Sequence, residues 1–229
     1  MNTELAILVP ALNEKPRIAE VLQVICGYST SQRVVVIDDG SEDDTATVAR
    51  QFPVELVSFE TNRGKGAALQ AGIDHVGKAD YWIFVDADLI NLQHYHITEL
   101  LKPLQQDPEL AMTVGVFRGG ATKTDLAHRY FGILNGQRGL SQKYIEDLPD
   151  LSWSRFGVEI LLSKYAARQN YRVAHPYLKE LTHHTKEAKY GFAKGFPYRL
   201  QMYRECLYSL SSWHKHCPEK LNRVAPPSV

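Results

Sequence analysis

The feature that most constrains this chain is a repeating cycle: an apolar run, a polar turn, a helical pattern, then another apolar run. Leu5 to Val9 is closed by Pro10, and Val34 to Ile37 ends in Asp38-Asp39-Gly40-Ser41. Val54 to Ser58 leads toward Asn62-Arg63-Gly64-Lys65-Gly66, and Tyr81 to Val85 runs into Asp86-Ala87-Asp88. Short continuous apolar runs suit strands buried on both faces. Between them, Ile18, Val21, Leu22 and Ile25 recur at helical spacing, with Pro16 before and Gly27 after, and Thr45 to Phe52 is helical again. Repeated βα units imply right-handed crossovers and a mainly parallel, Rossmann-like sheet flanked by helices. Open sheets of this kind bind ligands beyond the carboxyl ends of their strands, so the polar clusters are expected to share one crevice.

Beyond residue 110 the alternation loosens. Met112 to Phe117 predicts a strand, Gly119-Gly120 a break, Asp125 to Leu134 a helix, Gly157 to Arg168 a helix and Tyr171 to Ala174 a strand. Tyr198 to Trp213 is aromatic and basic with partial helical periodicity. There is no internal repeat and no low-complexity linker, and 229 residues suit one domain spanning 1–229. Lys plus Arg and Asp plus Glu are equal at 26 each, so no global field draws the chain to nucleic acid. Cys26, Cys206 and Cys217 are odd in number and lack CxxC spacing, and the N-terminus shows no basic segment followed by an apolar signal core. The expectation is a cytoplasmic location, with attachment to a membrane surface left open and no apolar run of the ~18 residues that a spanning helix requires.

Asp86-Ala87-Asp88 is the most informative triplet. Two acids at i and i+2 just past an apolar strand can present carboxylates to one hard cation, Mg²⁺ or Mn²⁺, and such an ion neutralises a departing diphosphate. Alone, the triplet is matched as well by a solvated acidic turn. In Asp38-Asp39-Gly40-Ser41 an acid can accept a base imide or ribose hydroxyl, while the same loop makes a tight turn with Ser41 or Asp44 capping the next helix. Asn62-Arg63-Gly64-Lys65-Gly66 opens a helix whose free amides, with Arg63 and Lys65, suit a pyrophosphate. Neither GxxxxGK[ST] nor a GxGxxG after the first strand is present, which disfavours an ATPase and a dinucleotide oxidoreductase.

Taken in order, Pro10-Ala11-Leu12-Asn13-Glu14, Val36 to Thr45, Asn62 to Ala68 and Phe84 to Asp88 resemble family 2 glycosyltransferases of the GT-A fold. The resemblance extends to polyprenyl or dolichyl phosphate sugar synthases and glucosyl-3-phosphoglycerate synthases. It implies a nucleotide-sugar-binding half at 1–110 and an acceptor-binding half with a C-terminal helical segment at 111–229. Pro10, Leu12, Asn13 and Glu14 are then expected to line the nucleoside pocket, Asp39 to contact the base, and Gly64 and Lys65 to lie near base or phosphates. Asp88 is implied as the main metal ligand. Asp86, beside Ala87, is implied to hold the ribose, or the metal through water.

The second half resembles the family more loosely. Asn135-Gly136-Gln137-Arg138 is similar to a segment preceding the acceptor helix, with Asn135 in place of the usual serine or threonine; Arg138 would grip an acceptor phosphate, unless it is a surface or core-bridging arginine. Trp153 to Glu159 resembles the entry to the acceptor-side helix and makes Glu159 the candidate for acceptor orientation or general base. His183, ahead of His184, Lys186 and Lys189, is the candidate third metal ligand, in a segment that Gly191 and Gly195 would let close over the donor. The implied activity is metal-dependent transfer from a UDP- or GDP-sugar to a phosphate-bearing acceptor, a polyprenyl phosphate or a small phosphorylated metabolite. The alternatives are a sugar-nucleotide pyrophosphorylase and an inactive nucleotide-sugar-binding module. Peripheral membrane contact and a homodimer are both compatible with the sequence.

Overall fold

The structure, a computed structural model, describes residues 4–29, 31–118, 135–183, 204–205, 208 and 211–217. The break at Gly119-Gly120 and the helix at Asp125 to Leu134 fall outside the described residues, as does most of Tyr198 to Trp213. The cycle of the first half forms as expected. It gives β1 (Leu5–Ala11), α1 (Ile18–Cys26), β2 (Gln32–Asp38), α2 (Thr45–Ala49), β3 (Glu55–Ser58), α3 (Lys65–Val76) and β4 (Tyr81–Phe84). There follow β5 (Leu89–Ile90), α4 (His94–Gln106), β6 (Leu110–Val114), β7 (Val116–Arg118) and β8 (Arg138–Ser141). After α5 (Gln142–Asp147) come a 3₁₀ turn (Ser152–Gly157), α6 (Val158–Arg168), β9 (Arg172–Ala174), β10 (Tyr177–Lys179) and β11 (Thr182–His183).

Among the described residues the main sheet has seven strands in the order β3-β2-β1-β4-β8-β6-β9. The pairs β3-β2, β2-β1, β1-β4 and β6-β9 are parallel, and β8 alone runs against both of its neighbours. The chain winds outward from β1 to β3, then returns to place β4 on the other side of β1. The resulting switch point lies between the carboxyl ends of β1 and β4. Strand β1 continues past Val9 to Ala11, because Pro10 lies beyond the last β1–β4 pair, Leu8 with Phe84, where β2 alone still pairs with it.

Side chains of β1 alternate between two cores, one on each face of the sheet. Ala6 and Leu8 pack with Ala68, Leu69, Tyr144 and Leu161, which α3, α5 and α6 bring to one face. Leu5, Ile7 and Val9 pack with Ile18, Leu22, Ile25 and Ile97 of α1 and α4 on the other. Both faces are therefore covered, which explains the unbroken apolar runs. Met112 to Phe117 does not form one strand: the chain leaves the main sheet at Gly115, and β7 pairs instead with β10.

Helix α4 is fastened by a buried histidine. His96, 1 % exposed, accepts from the Gln93 backbone N–H through Nδ1 at 3.0 Å and donates from Nε2 to the Lys179 carbonyl at 2.8 Å. Burial lowers its pKa, against the opposing pull of the Lys179 carbonyl and of Glu180. The neutral ring thus ties α4 to the end of β10. Its stabilisation is complete above the unfolded value of ~6.5 and is lost as pH falls through the lower folded value. Thermal unfolding between about pH 7.5 and about pH 5 should show the wild type losing more stability than His96→Gln. Parallel pH profiles would remove His96 from this role. His175, whose pKa burial and Arg138 also lower, is present in both proteins, so its contribution cancels in the comparison.

Candidate active site

The loops beyond β1 and β2 are laced together first. Ser41 Oγ accepts from the Asn13 N–H at 2.9 Å, Asn13 Oδ1 accepts from the Glu42 N–H at 2.9 Å, and Thr45 Oγ1 accepts from the Glu14 N–H at 2.8 Å. Asn13 takes a left-handed φ of 55° to make this crossing. Ser41 is thereby occupied with the first loop, and neither it nor Asp44 caps α2; Asp43 accepts from the Thr45 N–H instead. Pro10 and Glu14 are buried and Leu12 and Asn13 half-buried, in the loop that follows β1 and lies against the second loop.

Asp39 organises the next loop. Its carboxylate accepts from Asn62 Nδ2 at 2.9 Å, the Arg63 N–H at 2.7 Å and the Gly64 N–H at 2.9 Å. Burial raises its pKa, and the Arg63 and Gly64 amides oppose that shift. Gly64 sits at φ 96°, and a Cβ there would lie 2.9 Å from Arg155 Cα. Only glycine meets both demands. Helix α3 then starts at Lys65 without a side-chain cap.

Lys65 is the centre of the site. Its ammonium lies 2.5 Å from Asp86 Oδ1 and 2.6 Å from Glu159 Oε1. The three side chains are 15 %, 28 % and 12 % exposed, so a cation from α3 joins an acid after β4 to one in the first turn of α6. Burial alone would lower the Lys65 pKa, but the two carboxylates outweigh it and hold the ammonium above its usual range. Sequence reasoning had Lys65 near base or phosphates and Glu159 near an acceptor; the structure brings the two into contact with each other.

Gln137 completes this cluster and had no place in the sequence expectation. Its Oε1 accepts from the Asp86 N–H at 3.0 Å, and its Nε2 donates to Asp86 Oδ2 at 2.7 Å. The register explains why. Phe84 pairs with Arg138, so the residue before β8 lies directly beyond the end of β4. Gly136 covers the pair: a Cβ there would fall 2.5 Å from both Asp86 Oδ2 and Lys65 Nζ.

Arg138 does not face the crevice as an acceptor-gripping fork. It is 0 % exposed and donates to the Asn135 carbonyl, Met112 Sδ, Ser163 Oγ and the Glu159 carbonyl. Burial lowers its pKa to about 10, opposed by Glu159. The antiparallel strand β8 carries it into the interior between β6 and α6, where it fastens the start of α6 and with it Glu159. Of the readings open for a lone arginine, the core-bridging one holds.

Asp88 is half-buried and precedes β5. Strand β11 pairs antiparallel with β5 and sets His183 opposite Leu89, so the backbone of His183 runs beside the acidic triplet from 95 positions further along. His184, Lys186, Lys189 and the glycines after them lie outside the described residues. Among the described residues no three His, Cys, Asp or Glu side chains converge as a metal-binding group. Two carboxylates with phosphate oxygens are nonetheless a sufficient donor set for Mg²⁺ or Mn²⁺, which commonly take only one or two protein carboxylates and complete their shell with phosphate and water. Asp86 is engaged by Lys65 and Gln137.

Comparisons with known proteins identify the family and the fold. The sequence model described as glycosyl transferase family 2 matches residues 6–160. The dolichyl-phosphate beta-glucosyltransferase of Trichomonas vaginalis is 31 % identical over 127 residues, 48 % of this chain and 39 % of that protein. The 4,4'-diaponeurosporenoate glycosyltransferase of Staphylococcus aureus is 27 % identical over 228 residues, 93 % of this chain and 60 % of that protein. The chain thus spans less than two thirds of the length of these curated relatives. Glucosyl-3-phosphoglycerate synthase from Mycobacterium tuberculosis, crystallised with Mn²⁺, UDP and glucosyl-3-phosphoglycerate, superposes with a TM-score of 0.75 at 24 % identity, covering 95 % of this chain and 82 % of that one. A crystal of the same synthase with Mg²⁺ and UDP gives 0.68 at 25 % identity, covering 89 % and 79 %. The fold is GT-A.

Proposed function

This chain belongs to glycosyl transferase family 2, and from that premise we propose that it transfers a sugar from a UDP- or GDP-sugar to a phosphate-bearing acceptor. The observation that carries the reading is the Lys65 bridge. One ammonium links the acidic triplet beyond β4 to Glu159 at the start of α6; in this reading it joins a donor-side carboxylate to an acceptor-side one.

In this reading Asp88, with His183 beside it on β11, holds the cation, and Asp86 takes the ribose or a metal-bound water. Mg²⁺ or Mn²⁺, when bound, supplies positive charge to the diphosphate as it leaves. Pro10, Leu12, Asn13 and Glu14 wall the nucleoside, and Asp39 shapes the loop that faces the base. Gly64 lets α3 begin close to the crevice, where its uncapped amides suit the phosphates. Glu159 orients the acceptor, and Arg138 fixes Glu159 from behind. An anionic phosphate acceptor is already nucleophilic and hardly needs a general base. The relatives and neighbours whose names specify a phosphorylated acceptor or product, dolichyl phosphate and glucosyl-3-phosphoglycerate, support that class; a polyprenyl phosphate and a small phosphorylated metabolite both fall within it.

The site makes no demand for a membrane-spanning element, and no described helix is long and apolar enough to cross a membrane. Peripheral contact and a homodimer remain proposals that sedimentation with and without anionic vesicles would examine. The function itself is tested by incubating the protein with UDP- and GDP-sugars and Mn²⁺, offering either lipid extract or soluble phosphorylated metabolites. Sugar transferred to one acceptor pool supports the reading. Pyrophosphate release from a nucleoside triphosphate and sugar phosphate would point to a pyrophosphorylase instead. Nucleotide-sugar binding without product from either pool would leave a binding module.

A further inference from the structure

Arg155 has the most strained backbone near the crevice. It sits at φ 47°, ψ −120° inside the 3₁₀ turn, a conformation that side chains rarely adopt and that costs about 1–3 kcal/mol. Such strain persists only where surrounding contacts over-determine it. Here two of the three side-chain hydrogen bonds go to the loop 62–64 and the third to Glu205. Nη2 donates to Asn62 Oδ1 at 2.9 Å, Nη1 to the Arg63 carbonyl at 3.2 Å, and Nε to Glu205 Oε1 at 3.0 Å. The Cα of the same residue presses on Gly64.

The loop 62–64 is therefore gripped from two directions. Asp39 takes the Asn62 amide hydrogen and two backbone N–H groups from the nucleotide side, while Arg155 takes the Asn62 amide oxygen and the Arg63 carbonyl from the other. A single primary amide is held by both ends, which fixes its rotamer and its flip. Glu205, from the C-terminal stretch, steadies the guanidinium and also accepts from the Phe156 N–H at 3.4 Å. The chain beyond residue 200 thus reaches the donor loop through one arginine.

We infer that Arg155 is a positioning residue for the nucleotide: it sets the loop 62–64, and through it the Asp39 carboxylate, in the geometry that receives the base and ribose. Glu205 is its support. The inference rests on the donor reading above and extends it to a residue that touches no donor atom itself. Loss of the guanidinium leaves the fold in place and loosens the loop, so donor affinity falls while the acceptor side is spared.

The test uses calorimetric titration of UDP and of GDP in the presence of Mn²⁺ into the wild type, Arg155→Gly, Arg155→Lys and Glu205→Gln, with a melting temperature for each. Glycine accepts φ 47° without strain, so Arg155→Gly separates the backbone from the side chain. Its nucleotide Kd is expected to rise roughly tenfold, the loss of charge-assisted hydrogen bonds. Its melting temperature should stay within about 4 °C of the wild type, since relieved strain offsets lost contacts. Arg155→Lys should recover part of the affinity through one restored bond, and Glu205→Gln should weaken binding in the same direction by less. A nucleotide affinity within about twofold of the wild type in Arg155→Gly overturns the inference. So does an equal rise in donor and acceptor KM. Should the wild type bind neither UDP nor GDP, the donor reading fails first and this inference goes with it; binding by the wild type with unchanged variants sinks the inference alone.

Discussion

Asp88→Ala is expected to lower metal-dependent sugar transfer by about two to three orders of magnitude, the usual loss when a preorganised electrostatic partner of the developing charge is removed. The substitution takes away the proposed direct ligand. Asp86, pinned by an ammonium on one oxygen and an amide on the other, is poorly placed to take over. Asp88 is half-buried, and a single substitution at such a position typically costs about 1 kcal/mol, which melting temperatures separate from the loss of activity. The check is an initial-rate series against Mn²⁺ concentration for both proteins, with melting temperatures alongside. A variant that retains full turnover at saturating Mn²⁺ removes Asp88 from the site.

The acid at the centre of that prediction was legible in the sequence; much of its surroundings was not. The βα cycle through β4 was legible because β1, β2 and β4 are buried along most of their length and polar turns separate strand from helix; β3, at the sheet edge, is only half-buried. The acidic triplet was legible because it ends such a strand. Helix α4 carried a readable signal in Ile97, Leu100, Leu101 and Leu104, yet Pro103 and the polar residues at its start obscured it. Strand β8 carried none: Arg138-Gly139-Leu140-Ser141 has no strand periodicity, and the short segment becomes a strand only because β4 and β6 flank it. Arg138 and Gln137 inherit their roles from that insertion, one turned inward and the other set against Asp86. The β5–β11 ribbon is two residues long, so its pairing is a tertiary fact that no local pattern announces. Arg155 stood inside a segment whose resemblance pointed to Glu159; its own role follows from a backbone angle that sequence does not display.

Lys65 has the largest expected effect on both stability and activity. Lys65→Ala would leave Asp86 and Glu159, 28 % and 12 % exposed, converging without the cation that separates them. Removing one partner of a buried pair costs about 3–5 kcal/mol. Gln137 still serves Asp86, so the lower end applies, about 3 kcal/mol or a drop of roughly 6–12 °C in melting temperature. The sign with pH can be stated as well. The Lys65 pKa is held above its usual value, so its stabilisation is complete below the unfolded value of ~10.4 and is lost only as pH climbs through the higher folded one. The Lys65 contribution to the gap between wild type and variant should therefore be flat from about pH 7 to about pH 9. Stability and function separate in the triple variant Lys65→Met, Asp86→Asn, Glu159→Gln. Neutralising every member abolishes the buried charge, and such replacements are often neutral or stabilising. The triple variant should melt well above Lys65→Ala while transferring no sugar. If it melts no higher, the single variant's loss comes from packing rather than from unpaired charge; if it transfers sugar at the wild-type rate, the bridge between donor and acceptor sides is architecture without a catalytic purpose.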